Sequence, residues 1–83
     1  MAQDEDIRRR RELRERLPAR DTVRWVASRK AAVVQAVEGG ALTEGEALSR
    51  YHLTAEELES WRVAMGRHGR IGLRATWTPS RGV

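Results

Sequence analysis

A chain of 83 residues has room for one domain with a small core, near the size at which folding alone becomes marginal. Without cysteine it has no disulfide framework, thiolate metal site or thiol nucleophile, and His52 and His68 stand too far apart for a local metal pair, so no metal is expected. The formal charge of +4 permits an anionic partner such as DNA without requiring one.

No apolar run approaches the roughly 20 residues that span a bilayer, and the N-terminus lacks an apolar signal core. A soluble cytoplasmic protein with no membrane partner is the expectation. With no phenylalanine, Trp25, Trp61 and Trp77 must carry much of the large-side-chain packing. No nucleophile beside a base, phosphate loop or paired carboxylates appear, so neither an enzyme nor a cofactor or small-molecule substrate is expected.

Residues 1–17 form a charged extension, with Ile7 and Leu13 the apolar breaks in DEDIRRRRELRER. If helical, it has Arg8 with Glu12, Arg11 with Glu15 and Glu12 with Arg16 at i, i+4, each pair contributing a few tenths of a kcal/mol. That is too little to hold a lone short helix, and a frayed, solvated segment is expected. The other reading is an arginine arm that touches phosphate or an acidic protein face.

The domain proper is expected over residues 18–78. Pro18 bars helix through Leu17, and Asp21 or Thr22 can cap a first helix over about 23–38 that Gly39 and Gly40 end. Projected at about 100° per residue, Arg24, Ser28, Ala31, Gln35 and Glu38 form its solvent face. Trp25, Val26, Ala32, Val33, Val34, Ala36 and Val37 form its apolar face. Arg29 and Lys30 fall inside the apolar arc. Either their stems cover apolar surface while the heads reach water or a glutamate, or they belong to a basic and apolar patch offered to a partner.

The stretch LTEGEALSRYHLTAEELESW, from Leu42 to Trp61, writes a helix start twice. Thr43 with Glu46 and Thr54 with Glu57 each stand as N-cap and N3 of a capping box, behind Leu42 and Leu53 as staple residues. A short helix over about 44–50, a reversal at Tyr51, His52 and Leu53, and a helix over about 55–68 give the spacing of a helix-turn-helix. Ala47, Tyr51, Leu53, Leu58 and Trp61 are its inward positions. His52 replaces the frequent turn glycine and must tolerate a left-handed backbone. Leu58, Trp61, Met65 and His68 continue as a core stripe until Gly69.

Beyond it Ile71, Leu73, Ala75 and Trp77 alternate with Gly72, Arg74, Thr76 and Thr78, the one period-two signal in the chain. An extended C-terminal arm is expected, packed on the helices or paired with another copy, followed by a loose tail over 79–83. The fold class is therefore all-α, a three-helix domain with a charged N-terminal extension and an extended arm.

From Leu42 to Gly69 five glutamates oppose three arginines, so the helix-turn-helix is acidic. Phosphate would repel Glu56 and Glu59 near the start of a recognition helix. The surplus cations stand outside, at Arg20, Arg24, Arg29 and Lys30 before it and Arg70, Arg74 and Arg81 after it.

The residues also resemble a known family. LP at Leu17, DT at Asp21, RWV from Arg24, RKA from Arg29, VV, AV and GG between Val33 and Gly40, EA at Glu46, RY at Arg50, LT with EE from Leu53, Trp61, and HG, GLR and T from His68 to Thr76 fall in order. The string from Leu17 to Thr76 resembles the SciP-like family of small CtrA inhibitory proteins, short alphaproteobacterial regulators with a Trp-repressor-like helix-turn-helix. The resemblance implies a non-enzymatic transcriptional regulator that binds a CtrA-type response regulator at promoter DNA and blocks activation. By position it carries Arg24, Arg29, Lys30, Arg70 and Arg74 over as the contact surface for partner or DNA. The charged N-terminus and the TWTPSRGV ending depart from the family's usual pattern. Two competing readings are an autonomous helix-turn-helix repressor or transposase-like DNA-binding module, and an assembly module in which the arm pairs a homodimer.

Overall fold

Residues Ala27–Glu38 form the helix on which every other helix rests. The computed structural model describes residues 2–74 and places them in α1 (Ala2–Glu15), α2 (Ala27–Glu38), α3 (Glu44–Tyr51) and α4 (Ala55–Gly72), with no strand among the described residues. α1, α3 and α4 all pack on α2, α4 most extensively. Small side chains make this approach feasible: Ala31, Val33, Val34 and Ala36 are all buried. The solvent face expected through Ala31 is therefore wrong at that residue, because α2 is covered by three neighbours rather than one.

α2 begins at Ala27 instead of Val23, and neither Asp21 nor Thr22 caps it. Thr22 is committed to a turn after Pro18, where both its hydroxyl and its amide donate to the Ala19 carbonyl. Val26 stands at the N-cap without a side-chain hydrogen bond. The chain before α2 carries Trp25 into the core, where its ring meets Tyr51 edge-on at 5.2 Å between centroids and Trp61 at 5.2 Å and 46°. Such aromatic pairs contribute about 0.5–1.5 kcal/mol beyond their buried area.

The charged N-terminal segment forms a fourth helix, docked at its C-terminal half. Leu13 is buried in the common core, and Arg14 Nη1 donates to the Ala41 carbonyl at 2.7 Å. The three expected i, i+4 pairs do not close: among the described residues every ion pair belongs to Arg62. Docking, and not surface charge pairing, is what ties α1 down. Gly39 permits it, since a Cβ there would collide with the Leu13 side chain, while Gly40 at φ 77° makes the left-handed turn out of α2.

Both capping boxes are complete. Thr43 Oγ1 accepts from the Glu46 amide at 3.1 Å and Glu46 Oε1 from the Thr43 amide at 2.9 Å; Thr54 and Glu57 repeat this at 3.1 and 2.7 Å. His52 closes α3 in the left-handed region at φ 55°, ψ 43°, and α4 starts three residues later. Ala47, Tyr51, Leu53, Leu58 and Trp61 are all buried. Tyr51 also holds the linker before α2, its hydroxyl donating to the Pro18 carbonyl at 2.7 Å.

The core stripe of α4 ends sooner than its spacing suggests, with Met65 half-buried and His68 exposed. Gly69 at φ 66°, ψ −156° breaks the helix axis in a region that is essentially glycine-only. The chain then makes one more turn, with Leu73 and Arg74 donating to the carbonyls of Arg70 and Ile71. The arm expected from Ile71 is therefore not extended through Arg74. Ile71 is 73% exposed and Leu73 0%, opposite fates for two residues that a strand would place on one face. The rest of the alternation, including Trp77, and the tail over 79–83 lie outside the described residues. Among the described residues no helix is long and apolar enough to cross a membrane.

Candidate partner-binding site

The turn after Gly69 folds back along α4 so closely that a Cβ on Gly72 would strike the Ala64 carbonyl and His68 Cβ. This places Leu73 in the core and sets the turn opposite the start of α2. Between them runs an open groove of about 510 Å³, lined by Trp25, Val26, Ala27, Ser28 and Lys30 on one side and by Arg70, Ile71, Leu73 and Arg74 on the other.

Lys30 joins the two walls. It is 2% exposed, its Nζ donates to the Leu73 carbonyl at 3.1 Å and lies 5.6 Å from the centroid of the Trp61 ring. Burial lowers its pKa from the ordinary lysine value, because the ammonium gives up water on entering the core. Lys30 is therefore a structural strut at the base of the groove that it lines. At 2% exposure an outward snorkel does not describe it.

The other four candidate cations are exposed. Arg70 and Arg74 stand at the groove. Arg24 and Arg29 do not line it; Arg29 Nη1 folds onto the Arg24 carbonyl at 2.9 Å. Two groove features escape sequence reasoning. Val26 looks like core yet is 38% exposed, and Ile71 looks like an arm residue yet stands in the open. The indole N–H of Trp25, which also lines the groove, is buried without an acceptor.

The start of the helix-turn-helix has the opposite character. Glu56 and Glu59 are exposed in the first turns of α4. Glu57 is buried in its cap, its second oxygen without a hydrogen-bond partner, at a helix start whose positive end favours the charge. Arg62 is drawn into structure, 2.9 Å from Glu38 and within 4 Å of Glu44 and Glu59, and the Glu38 hydrogen bond raises its pKa. A second groove crosses α3, where Arg14, Arg20 and Arg50 stand around Gly45, Glu46 and Ser49. Sequence spacing does not bring those three arginines together.

Fold and site together define a small helical domain with a helix-turn-helix, acidic at its second helix and basic at a groove beside it. The chain belongs to the family described as "Protein of unknown function (DUF1153)", which matches residues 11–80. No curated protein and no solved structure matches the chain.

Proposed function

We propose that the chain is a SciP-like, non-enzymatic transcriptional regulator that binds a CtrA-type response regulator at promoters and blocks the activation of transcription. One observation carries this reading: the helix that would read bases presents Glu56 and Glu59, while the free arginines stand beside exposed apolar residues at a groove on another part of the surface. Carboxylates facing phosphate oppose groove entry, whereas arginine next to aliphatic and aromatic surface is the composition that protein interfaces favour. The family resemblance in the sequence points the same way.

The test is fluorescence anisotropy of the labelled protein with promoter DNA, bare and then loaded with the regulator. Binding to loaded DNA alone is the expected result. Tight sequence-selective binding to bare DNA would replace this reading with an autonomous repressor. That second reading draws on the arginine groove across α3, since the first helix of such motifs crosses the DNA backbone. It predicts a steep loss of affinity with salt and its abolition in Arg20→Glu/Arg50→Glu.

A further inference from the structure

The groove between the start of α2 and the turn after Gly69 has a composition specific enough to define its occupant. We infer that it docks an acidic segment of a partner protein that carries an aliphatic or aromatic side chain beside its carboxylates. The inference rests on the protein-partner reading above and adds the chemistry and place of the contact.

Charge supplies the first argument. Arg70 and Arg74 are exposed at the groove, and among the described residues no carboxylate lines it. α2 has no acidic residue in its first turn and no side-chain cap, so Ala27 and Ser28 bring helix-start amides without intrahelical acceptors to the lining. The two capped helices, α3 and α4, each carry two glutamates in that turn.

Apolar surface supplies the second. Val26 and Ile71 are exposed within the lining, and Trp25 and Leu73 lie behind them. A nucleic-acid backbone could use the arginines but would gain nothing from Val26 and Ile71. A peptide with a leucine or aromatic anchor uses both, which favours a protein segment over DNA. Preorganisation supplies the third: the hydrogen bond from Lys30 to the Leu73 carbonyl joins the two walls before any partner arrives, so little ordering cost is left to binding.

The experiment titrates the full chain into fluorescein-labelled synthetic peptides. One alternates glutamate and leucine, one has serine for every leucine, and one has lysine for every glutamate. The Glu/Leu peptide should bind, and the Glu/Ser and Lys/Leu peptides should bind at least about tenfold more weakly, a difference of about 1.4 kcal/mol. Arg70→Glu/Arg74→Glu should cost at least as much, Ile71→Ser severalfold, and Arg67→Glu, an exposed charge outside the groove, nothing. All four residues are exposed, so circular dichroism should report an unchanged fold.

Equal binding of the Glu/Leu and Glu/Ser peptides would overturn the inference, as would an Arg67→Glu effect equal to that of the double variant. A DNA duplex that binds through Arg70 and Arg74 while no peptide binds would overturn it too. The same variants separate the two claims. Regulator binding that survives Arg70→Glu/Arg74→Glu, with no peptide docking, removes the groove and spares the regulator reading. Peptide docking without any regulator binding does the reverse.

Discussion

Helix starts in this molecule are treated in two opposite ways. At Thr43 and Thr54 the chain satisfies its own amides, with a hydroxyl and a carboxylate at each site and glutamates nearby. At Val26 it satisfies none with a side chain, and the surroundings are arginine, valine and isoleucine. The closed starts fix the helix-turn-helix; the open one faces a groove. An unsatisfied helix end on an otherwise well-capped domain shows where local stability has been left unoptimised, and such places tend to be contact sites.

The open side is held by a single buried turn, so its failure should dominate any mutational series. Leu73→Ala removes a fully buried side chain and should cost about 3 kcal/mol, read as a lowered midpoint in urea. Gly69→Ala forces a Cβ into glycine-only backbone and should cost about 1–3 kcal/mol. A cost near zero would mean that the kink relaxes and the groove is not rigid. Lys30→Met should cost about 1–2 kcal/mol, since the bond to the Leu73 carbonyl is lost while some desolvation is recovered. Because burial lowers the Lys30 pKa, the wild type should gain stability relative to Lys30→Met as pH rises through that lowered value toward 10.5.

On the closed side the effects are smaller. Thr54→Ala should cost about 1 kcal/mol in denaturant and leave peptide docking at the groove unchanged. Smallest is the Glu46 charge. Hydrogen bonds from the Thr43 amide and then its hydroxyl lower the Glu46 pKa, so its contribution is present above about pH 4.5 and is lost as pH falls through the lowered value. Glu46→Gln should therefore be less stable than wild type near neutrality and match it in acid.

The closed side was legible in the sequence and the open side was not. A capping box is a relation between residues three apart, so Thr43, Glu46, Thr54 and Glu57 state it in the sequence itself. The strut of the groove joins residues 43 apart, and the hydroxyl that anchors the linker joins Tyr51 to a carbonyl 33 residues away. No periodicity encodes such pairs. Lys30 was ambiguous for a related reason: its place in an apolar arc fits a snorkel, an interface or a buried strut, and only the position of the Leu73 carbonyl reveals the strut. The alternation from Ile71 misleads because the chain makes a helical turn there, which sends residues two apart to opposite sides where a strand would keep them on one. The charged N-terminus misleads because its docking residues, Leu13 and Arg14, are outnumbered by the solvated ones around them.

The most direct test of the central claim is a backbone amide map of the isotopically labelled chain titrated with the regulator on promoter DNA. Shifts at Ala27, Ser28, Arg70, Ile71 and Arg74, with Glu56 and Glu59 unmoved, are the predicted result. Shifts confined to the first turns of α4, appearing equally with bare DNA, would contradict it and make the acidic helix the reader.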